Sequence, residues 1–196
     1  MADGNVAFKV TWVYGQNGPF TSPCTPEGRD NNIRRQKRVW CSQPECPCNQ
    51  LFRRGNKGMV AEDDPCYDAM IFKSWSFGGG VYHTGERQGS PIPLKYVQPG
   101  KLAFFTSRNI DMPESERIII GCYKIAGMEL DEKDGFMVQA MEGSGLRVPD
   151  FNNAPRYWDF YSQEGGPRWD TGLFRYLTDR VAQAMYKAVQ DAVRKG

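Results

Sequence analysis

The chain has 196 residues, 40% of them hydrophobic and 24% charged, and its formal net charge is +2 at pH 7. This composition is ordinary for a soluble globular protein, and the length suits one large domain or one domain with an appended module. No apolar run approaches the roughly 20 residues of a membrane-spanning helix, and residues 1–10 lack the basic and apolar regions of a secretory signal. We therefore expect a cytoplasmic protein, whose cysteines bind metal or stay as thiols in preference to forming disulfides.

Apolar and aromatic residues alternate over residues 6–14, which predicts a first strand, and a loop rich in Gly, Pro, Ser and Thr follows. Between Cys24 and Gly58, eight basic residues stand against three acidic ones, a net charge of +5 that leaves −3 for the rest of the chain. Such a segment suits contact with nucleic-acid phosphates, although a solvated loop gives the same pattern. The candidate phosphate-binding residues here are Arg34, Arg35, Lys37 and Arg38.

Four cysteines of the basic segment have the spacing C-x16-C-x4-C-x-C. Zinc takes four sulfur or nitrogen ligands in a tetrahedron, and a segment with so few large apolar side chains needs added stability to fold. We therefore expect structural zinc, with unligated thiols or disulfides as the alternatives. Because only Pro47 separates the last two cysteines, Cys66 is a second choice for one of their positions. The predicted ligands are Cys24, Cys41, Cys46 and Cys48.

The polar, proline-marked segment Glu62–Pro65 predicts a boundary between residues 66 and 67. Residues 1–66 are then a strand with a basic, cysteine-rich extension, and residues 67–196 are the main domain. Three β-rich runs are expected in the main domain: Asp68–Phe72, Lys101–Phe105 and Arg117–Ile125. Polar and aromatic residues follow the first two runs, which predicts a binding rim for a flat polar ligand such as a nucleobase. These residues are Lys73, Ser74, Trp75, Thr106, Ser107 and Arg108.

Residues 76–85 form a loop with three consecutive glycines at 78–80. It lacks the GK[ST] ending of a phosphate-binding loop. We interpret it either as a surface hairpin or as a loop that lets a ligand approach the backbone, with Phe77 and Tyr82 as pocket walls. The single histidine, His83, excludes a two-histidine metal site and is expected to form hydrogen bonds within the loop.

The acidic turn at 111–116 does not complete a nuclease site with Lys124, because Gly121–Tyr123 stands where an acid-x-Lys motif needs its acid. We expect solvated charges in this turn and no catalytic residue. Residues 129–145 predict a peripheral hairpin around Phe136–Val138.

Aromatic residues are concentrated at 156–161 and 167–170, and Trp158 or Trp169 is expected to face Trp75 across a pocket. A closing helix is predicted over Gly172–Lys195. Its predicted core-facing residues are Leu177, Val181, Ala184, Ala188 and Ala192.

The motifs Lys73–Ser74, Pro99–Gly100 and Ile119–Tyr123 resemble, in this order, those of the EVE and YTH domains of the PUA-like superfamily. The resemblance covers about residues 67 to 190 at the level of sequence pattern. Lys101 stands where these families have an acidic residue, and residues 1–66 have no counterpart in them.

The resemblance implies an α+β fold, a small twisted β-barrel or sheet flanked by helices. It further implies a binding module that takes one modified base, flipped from the strand, into an aromatic cage. Similar domains serve modification-dependent restriction, where a fused or partner nuclease is the catalyst, and others read methylated RNA. The basic cysteine-rich segment favours modified DNA, methylated DNA included, as the partner. A reader of methylated RNA, a nucleic-acid-processing enzyme and a protein-interaction module are the alternatives.

The base-binding residues expected from the motifs and the resemblance are Lys73, Ser74, Trp75, Ser76, Phe77, Tyr82, His83, Thr106, Ser107, Trp158 and Asp159. Arg108 joins the expected phosphate-binding residues, because a guanidinium suits bidentate contact with phosphate.

Overall fold

The computed structural model describes residues 3–61, 66–109, 111–132, 134–162, 164–169 and 172–196. The chain divides into two compact units, one made of Met1–Val10 with Trp75–Gly196 and the other of Thr11–Ser74. We call the first the sheet unit and the second the cysteine unit. The first strand therefore belongs to the sheet unit, and its predicted grouping with the cysteine-rich extension is wrong. The predicted boundary lies between residues 66 and 67, whereas the two units meet in the sequence at residues 74 and 75. The segment Glu62–Pro65, on which that prediction is based, lies outside the described residues.

The helices and strands are short except for one strand and the last helix. The helices are α1 Pro26–Asp30, which continues as a π-helical turn Asn31–Arg35, α2 Pro47–Arg53, α3 Ile71–Ser74 and α4 Asp179–Lys195. The strands are β1 Asn5–Lys9, β2 Ser76–Gly78, β3 Leu102–Ser107, β4 Ile118–Asp131, β5 Gly135–Ala140, β6 Leu146–Arg147 and β7 Phe174–Leu177. Short 3-10 turns lie at Trp40–Ser42, Tyr67–Met70, Glu114–Glu116, Phe151–Asn153 and Tyr157–Asp159.

The seven strands of the described residues form one mixed sheet in the order β2-β5-β4-β3-β1-β7, and β6 pairs with β4. β1 is parallel to β3, with Val6 opposite Ala103, whereas the other strand pairs are antiparallel. β4 pairs with β3 along its first half and with β5 along its second half, which confirms the predicted hairpin after residue 129. The fold is thus mixed α+β, and in the described part of the chain its sheet is not a closed barrel.

Successive side chains of β3 point to opposite faces of the sheet, as in any strand. Phe104 belongs to a core cluster with Cys122 of β4 and Met185 of α4. Phe105 lies on the other face, where its ring contacts the rings of Phe77 and Tyr123 at centroid distances of 6.0 and 5.4 Å. Both faces of the central strands are covered, which explains why β3 and β4 are nearly continuous apolar runs in the sequence.

The segment predicted as the first strand of the main domain, Asp68–Phe72, is helical, and that prediction is wrong. Local hydrogen bonds favour the turns: the Ala69 N–H donates to the Cys66 carbonyl, and the Ser74 hydroxyl donates to the Met70 carbonyl. The other two predicted strands are confirmed as β3 and β4.

The closing helix begins at Asp179, not at Gly172, because residues 174–177 pair with β1 as a strand. Thr178 caps it, since its hydroxyl oxygen accepts a hydrogen bond from the Val181 N–H. The predicted apolar stripe is wrong at Ala184, which is exposed. The fully buried residues of α4 are Ala182, Met185 and Val189. None of the described helices combines the length and the apolar character that crossing a membrane requires.

Gly145 offers a test of the packing around Trp75. An added Cβ at Gly145 would lie 2.5 Å from the indole Cε2 of Trp75, whereas one at Gly127 would meet no heavy atom within 4 Å. We expect Gly145→Ala to lower the free energy of unfolding by about 1–3 kcal/mol because of this overlap. The control Gly127→Ala should change it by less than about 0.5 kcal/mol. Urea unfolding measures both, and equal effects would contradict the described packing.

Candidate functional site

A small cavity in the cysteine unit is lined by four thiols together with Asp68 and Arg29. Its volume is about 10 Å³, room for roughly one atom the size of a water oxygen. A single ion fits such a space, and an organic ligand does not. The four thiols are those of Cys24, Cys41, Cys48 and Cys66.

Short turns bring these distant cysteines together. Cys24 directly precedes the N-cap of α1, and Cys41 lies within the 3-10 turn Trp40–Ser42. Cys46 is the N-cap residue of α2, so Cys48 falls in its first turn, and Cys66 precedes the 3-10 turn Tyr67–Met70. Because the first N–H groups of a helical turn lack partners within the turn, backbone donors are concentrated around the sulfur atoms.

N–H groups near the sulfur atoms favour the thiolate form. The Asn32 amide donates to Cys24 Sγ over 3.6 Å, and the Tyr14 backbone N–H also lowers the pKa of this thiol, against the effect of burial. The backbone N–H groups of Asn49 and Cys48 favour the Cys46 thiolate, and that of Ala69 favours the Cys66 thiolate. Donors of this kind stabilise a thiolate more than a neutral thiol.

The thiols differ in acidity. Burial raises the pKa of Cys24, Cys41 and Cys66. The hydrogen bond from the Cys48 thiol lowers the pKa of Cys46 to about 6, against the effect of burial, and backbone N–H donors add to this. The same hydrogen bond raises the pKa of Cys48, which keeps the proton of the pair. Burial also raises the pKa of Asp68 to about 6, although its carboxylate accepts the Thr11 N–H.

The structure brings together three of the four predicted zinc ligands at the cavity, with Cys66 in the place of Cys46. All six cysteines are free thiols. As the side chains stand, no group of three or more Cys, His, Asp or Glu within the described ranges has an arrangement that could hold a metal ion.

Basic side chains cluster at the ends of two helices of the cysteine unit. The Arg34 guanidinium lies 4.9 Å from the Phe52 ring centroid and 3.0 Å from the Asp30 carboxylate. Buried Arg29 donates to the carbonyls of Gly58 and Asn56 over 2.9 and 2.5 Å. These contacts hold the end of the π-helical turn close to the end of α2. We call the exposed residues there the basic surface: Arg34, Arg35, Lys37, Arg53, Arg54 and Lys57.

The predicted phosphate-binding residues of this segment are Arg34, Arg35, Lys37 and Arg38, and Arg38 is half-buried. The prediction leaves out Arg53, Arg54 and Lys57, although the charge count of the segment includes them. Their contribution depends on the contact between α1 and α2, which no local pattern indicates. The exposed acidic residues in the described part of the cysteine unit are Glu27 and Glu45.

Thr106 and Ser107 were expected to contact a base edge, and the structure gives them another role. Both are fully buried. The Thr106 hydroxyl donates to the Phe8 carbonyl over 2.8 Å, and the Ser107 hydroxyl donates to the Val10 carbonyl over 2.9 Å. Because both hydroxyl protons are bonded to backbone oxygens, these side chains join β3 to the N-terminal segment and do not face a ligand.

Trp75 and Trp158 were expected to face each other, but they lie on opposite faces of the sheet. The Trp75 ring stacks on Phe105 at 6.1 Å and meets Tyr123 edge-on at 6.4 Å. Trp158 packs against the α4-side core and contacts Tyr157 at 5.0 Å. One flat ligand therefore cannot lie between the two indoles. Trp169, the other candidate, is also part of the α4-side core, and Asp159 beside Trp158 is exposed.

The remaining predicted base-binding residues are dispersed. Phe77 is a core residue whose ring contacts that of Phe8 at 5.3 Å. In the glycine-rich loop, the Tyr82 N–H donates to the Ser90 carbonyl, which makes the loop a hairpin, and Arg87 lies 5.8 Å from the Tyr82 ring centroid. Ser76 and His83 are half-buried in the sheet unit, and Lys73 and Ser74 are exposed at the end of α3 in the cysteine unit.

Arg108, a predicted phosphate-binding residue, is bonded within the protein. It donates to the Glu114 carboxylate over 3.0 Å and to the Met112 carbonyl over 2.7 Å. Glu114 also accepts from buried Arg117 over 2.5 Å. Burial alone would raise the pKa of Glu114, but Arg117 and Arg108 lower it. The turn predicted as solvated charges thus contains a half-buried ion-pair network.

No protein-family model, curated protein or solved structure matches this chain. The resemblance to EVE and YTH domains stays a prediction from the sequence.

Thr106→Val tests the structural role of the buried hydroxyl, because valine keeps the shape and removes the donor. We expect the free energy of unfolding to fall by about 1 kcal/mol and nucleic-acid affinity to stay unchanged. Thr84→Val, at an exposed loop position, is the control and should change neither quantity. Weaker nucleic-acid binding by Thr106→Val at unchanged stability, measured by urea unfolding and fluorescence anisotropy, would restore the base-edge role.

Proposed function

We propose that the protein is a nucleic-acid-binding module that contacts the phosphate backbone through its basic surface. The observation that carries this proposal is the cluster of six exposed basic side chains at the ends of the π-helical turn and α2. Arg29 and Arg34 support it, since their contacts keep the two helix ends together.

The chemistry of the basic surface favours phosphate over carboxylate partners. Four of its six members are arginines, whose planar guanidinium donates two parallel hydrogen bonds to phosphate oxygens. Lysines add charge without fixed geometry. Contacts of this kind give affinity that depends on salt and not on sequence, so the basic surface supplies attachment and a second feature must supply specificity.

For specificity we propose recognition of a modified base by the sheet unit, with DNA favoured over RNA. The resemblance to EVE and YTH domains and the mixed α+β fold support this part. Trp75 supports it further: its φ of +48° is unusual for a large side chain, and proteins retain such strain mainly at functional positions. Its indole is half-buried, with Phe105 stacked on it.

We further propose that the module binds and does not catalyse, and that cleavage in a restriction or defence system belongs to a fused or partner nuclease. The Glu114 carboxylate of the acidic turn pairs with Arg108 and Arg117, so it is not available as the metal-binding carboxylate of a nuclease site.

Charge removal tests the attachment. We expect the double variant Arg53→Gln/Arg54→Gln to bind all DNA sequences more weakly. In a plot of the logarithm of the binding constant against the logarithm of the salt concentration, the magnitude of the slope should fall by about 1 for each phosphate that the variant no longer neutralises. The control Arg180→Gln/Lys187→Gln removes the same charge from exposed positions of α4 and should leave the slope unchanged. Fluorescence anisotropy over a salt series measures both. Equally weakened binding by the two variants would contradict a localised phosphate site.

Matched tryptophan variants test the specificity. We expect the wild type to bind one modified oligonucleotide more tightly than its unmodified counterpart. Trp75→Phe should reduce this ratio of affinities about tenfold, since stacking on a base contributes roughly 1–3 kcal/mol. Trp158→Phe, on the opposite face of the sheet, should keep it. Tryptophan fluorescence titrations with a panel of modified oligonucleotides report the result. Equal affinity for every oligonucleotide would refute the base-reading part and leave phosphate attachment intact.

A further inference from the structure

The cavity of the cysteine unit supports an inference that is independent of what the basic surface binds. Its thiols come from four separate turns, and they converge although 41 residues of sequence lie between the first at Cys24 and the last at Cys66. The single histidine of the chain, His83, belongs to the sheet unit. Sulfur is therefore the main ligand type that this cavity offers.

We propose that the four thiols lining the cavity bind one zinc ion as thiolates: Cys24, Cys41, Cys48 and Cys66. This set differs from the first choice made from the spacing, because Cys66, the second choice, replaces Cys46. Zinc accepts four sulfur ligands at tetrahedral positions. An all-sulfur set disfavours Mg²⁺ and Ca²⁺, which prefer oxygen.

The size of the cavity agrees with a single ion. A volume of about 10 Å³ admits one water-sized atom. Cysteine side chains rotate between staggered wells about χ1 without backbone movement. We infer that zinc binding rotates the four side chains in this way, because their sulfur atoms already line one cavity.

The surroundings suit a negatively charged metal centre. Four thiols that bind Zn²⁺ release four protons to solvent, and the resulting centre has a net charge of −2. Buried Arg29 lines the cavity, and its Nε has no hydrogen-bond partner among the described residues. A buried donor without an acceptor is rare and costly, and a zinc-bound thiolate would provide the acceptor. The Asn32 amide already donates to Cys24 Sγ, as outer-shell groups do at metal sites.

Cys46 has a different role in this arrangement. It does not line the cavity. As the N-cap residue of α2, it accepts the Gln50 N–H at its carbonyl over 3.0 Å, and its own N–H donates to the Gln43 carbonyl over 3.1 Å. These backbone hydrogen bonds hold the first turn of the helix in place. Cys46 is therefore a positioning residue that fixes the turn from which Cys48 enters the cavity.

Elemental analysis of the full chain, purified under reducing conditions, tests the metal. We expect about one equivalent of zinc per chain. We also expect its loss in the Cys→Ser variants of Cys24, Cys41, Cys48 and Cys66, and its retention in Cys46→Ser. Cys122→Ala, in the core of the sheet unit, is the control and should retain the metal. Less than about half an equivalent in the wild type, even after refolding with zinc, or iron in its place, would overturn the proposal.

Differential alkylation of the wild type tests the ligand set without a variant, so it also applies if a serine variant does not fold. In zinc-loaded protein, iodoacetamide should label Cys46 and spare the four proposed ligands until a chelator removes the metal, as read by peptide mass spectrometry. Labelling of Cys66 with protection of Cys46 would overturn the ligand set and favour the one that spacing predicted. Cobalt substitution gives an independent readout, because the intensity of the thiolate-to-cobalt absorption reports the number of sulfur ligands.

Discussion

The parallel pairing of β1 with β3 is the constraint on which the rest of the structure depends. The two strands are separated by almost half of the sequence, and a parallel pair needs a long crossover connection. That connection contains the whole cysteine unit. The buried hydroxyls of Thr106 and Ser107 strengthen the pairing, since they donate to carbonyls of the N-terminal segment.

This pairing also determines what the sheet can offer a ligand. With β1 on one side of β3 and β4 on the other, β3 is a central strand, and both of its faces are buried. Polar groups at its end are then used to satisfy backbone carbonyls, because a buried polar group without a partner is costly. A ligand site on the sheet unit must therefore lie away from this strand end, and Trp75 and the glycine-rich hairpin lie outside β3.

The cysteine unit differs from the sheet unit in how little apolar core it has. Its helices are too short to form a large apolar core, and its buried residues include Cys24, Cys41 and Cys48. A metal ion would supply the missing stabilisation and fix the turns that hold α1 and α2 in contact. The two proposals for this unit are linked by this contact, since the basic surface is made of residues at the ends of these same helices. A metal centre of charge −2 would also offset part of the repulsion among the arginines of the same unit.

The sequence by itself determined the strands β3 and β4, the closing helix, the basic character of residues 24–58 and the concentration of cysteines there. These features follow from local composition and periodicity, which depend only on residues close together in the sequence. Only the tertiary structure decided that Asp68–Phe72 is helical, that Trp75 and Trp158 lie on opposite faces, and that Cys66 replaces Cys46 at the cavity. Each of these outcomes depends on contacts between distant segments: a short apolar run suits a helix or a strand equally, and the side of the sheet on which a ring lies depends on strand register. Which sulfur reaches a cavity depends on how separate turns pack, and spacing along the chain does not contain that information.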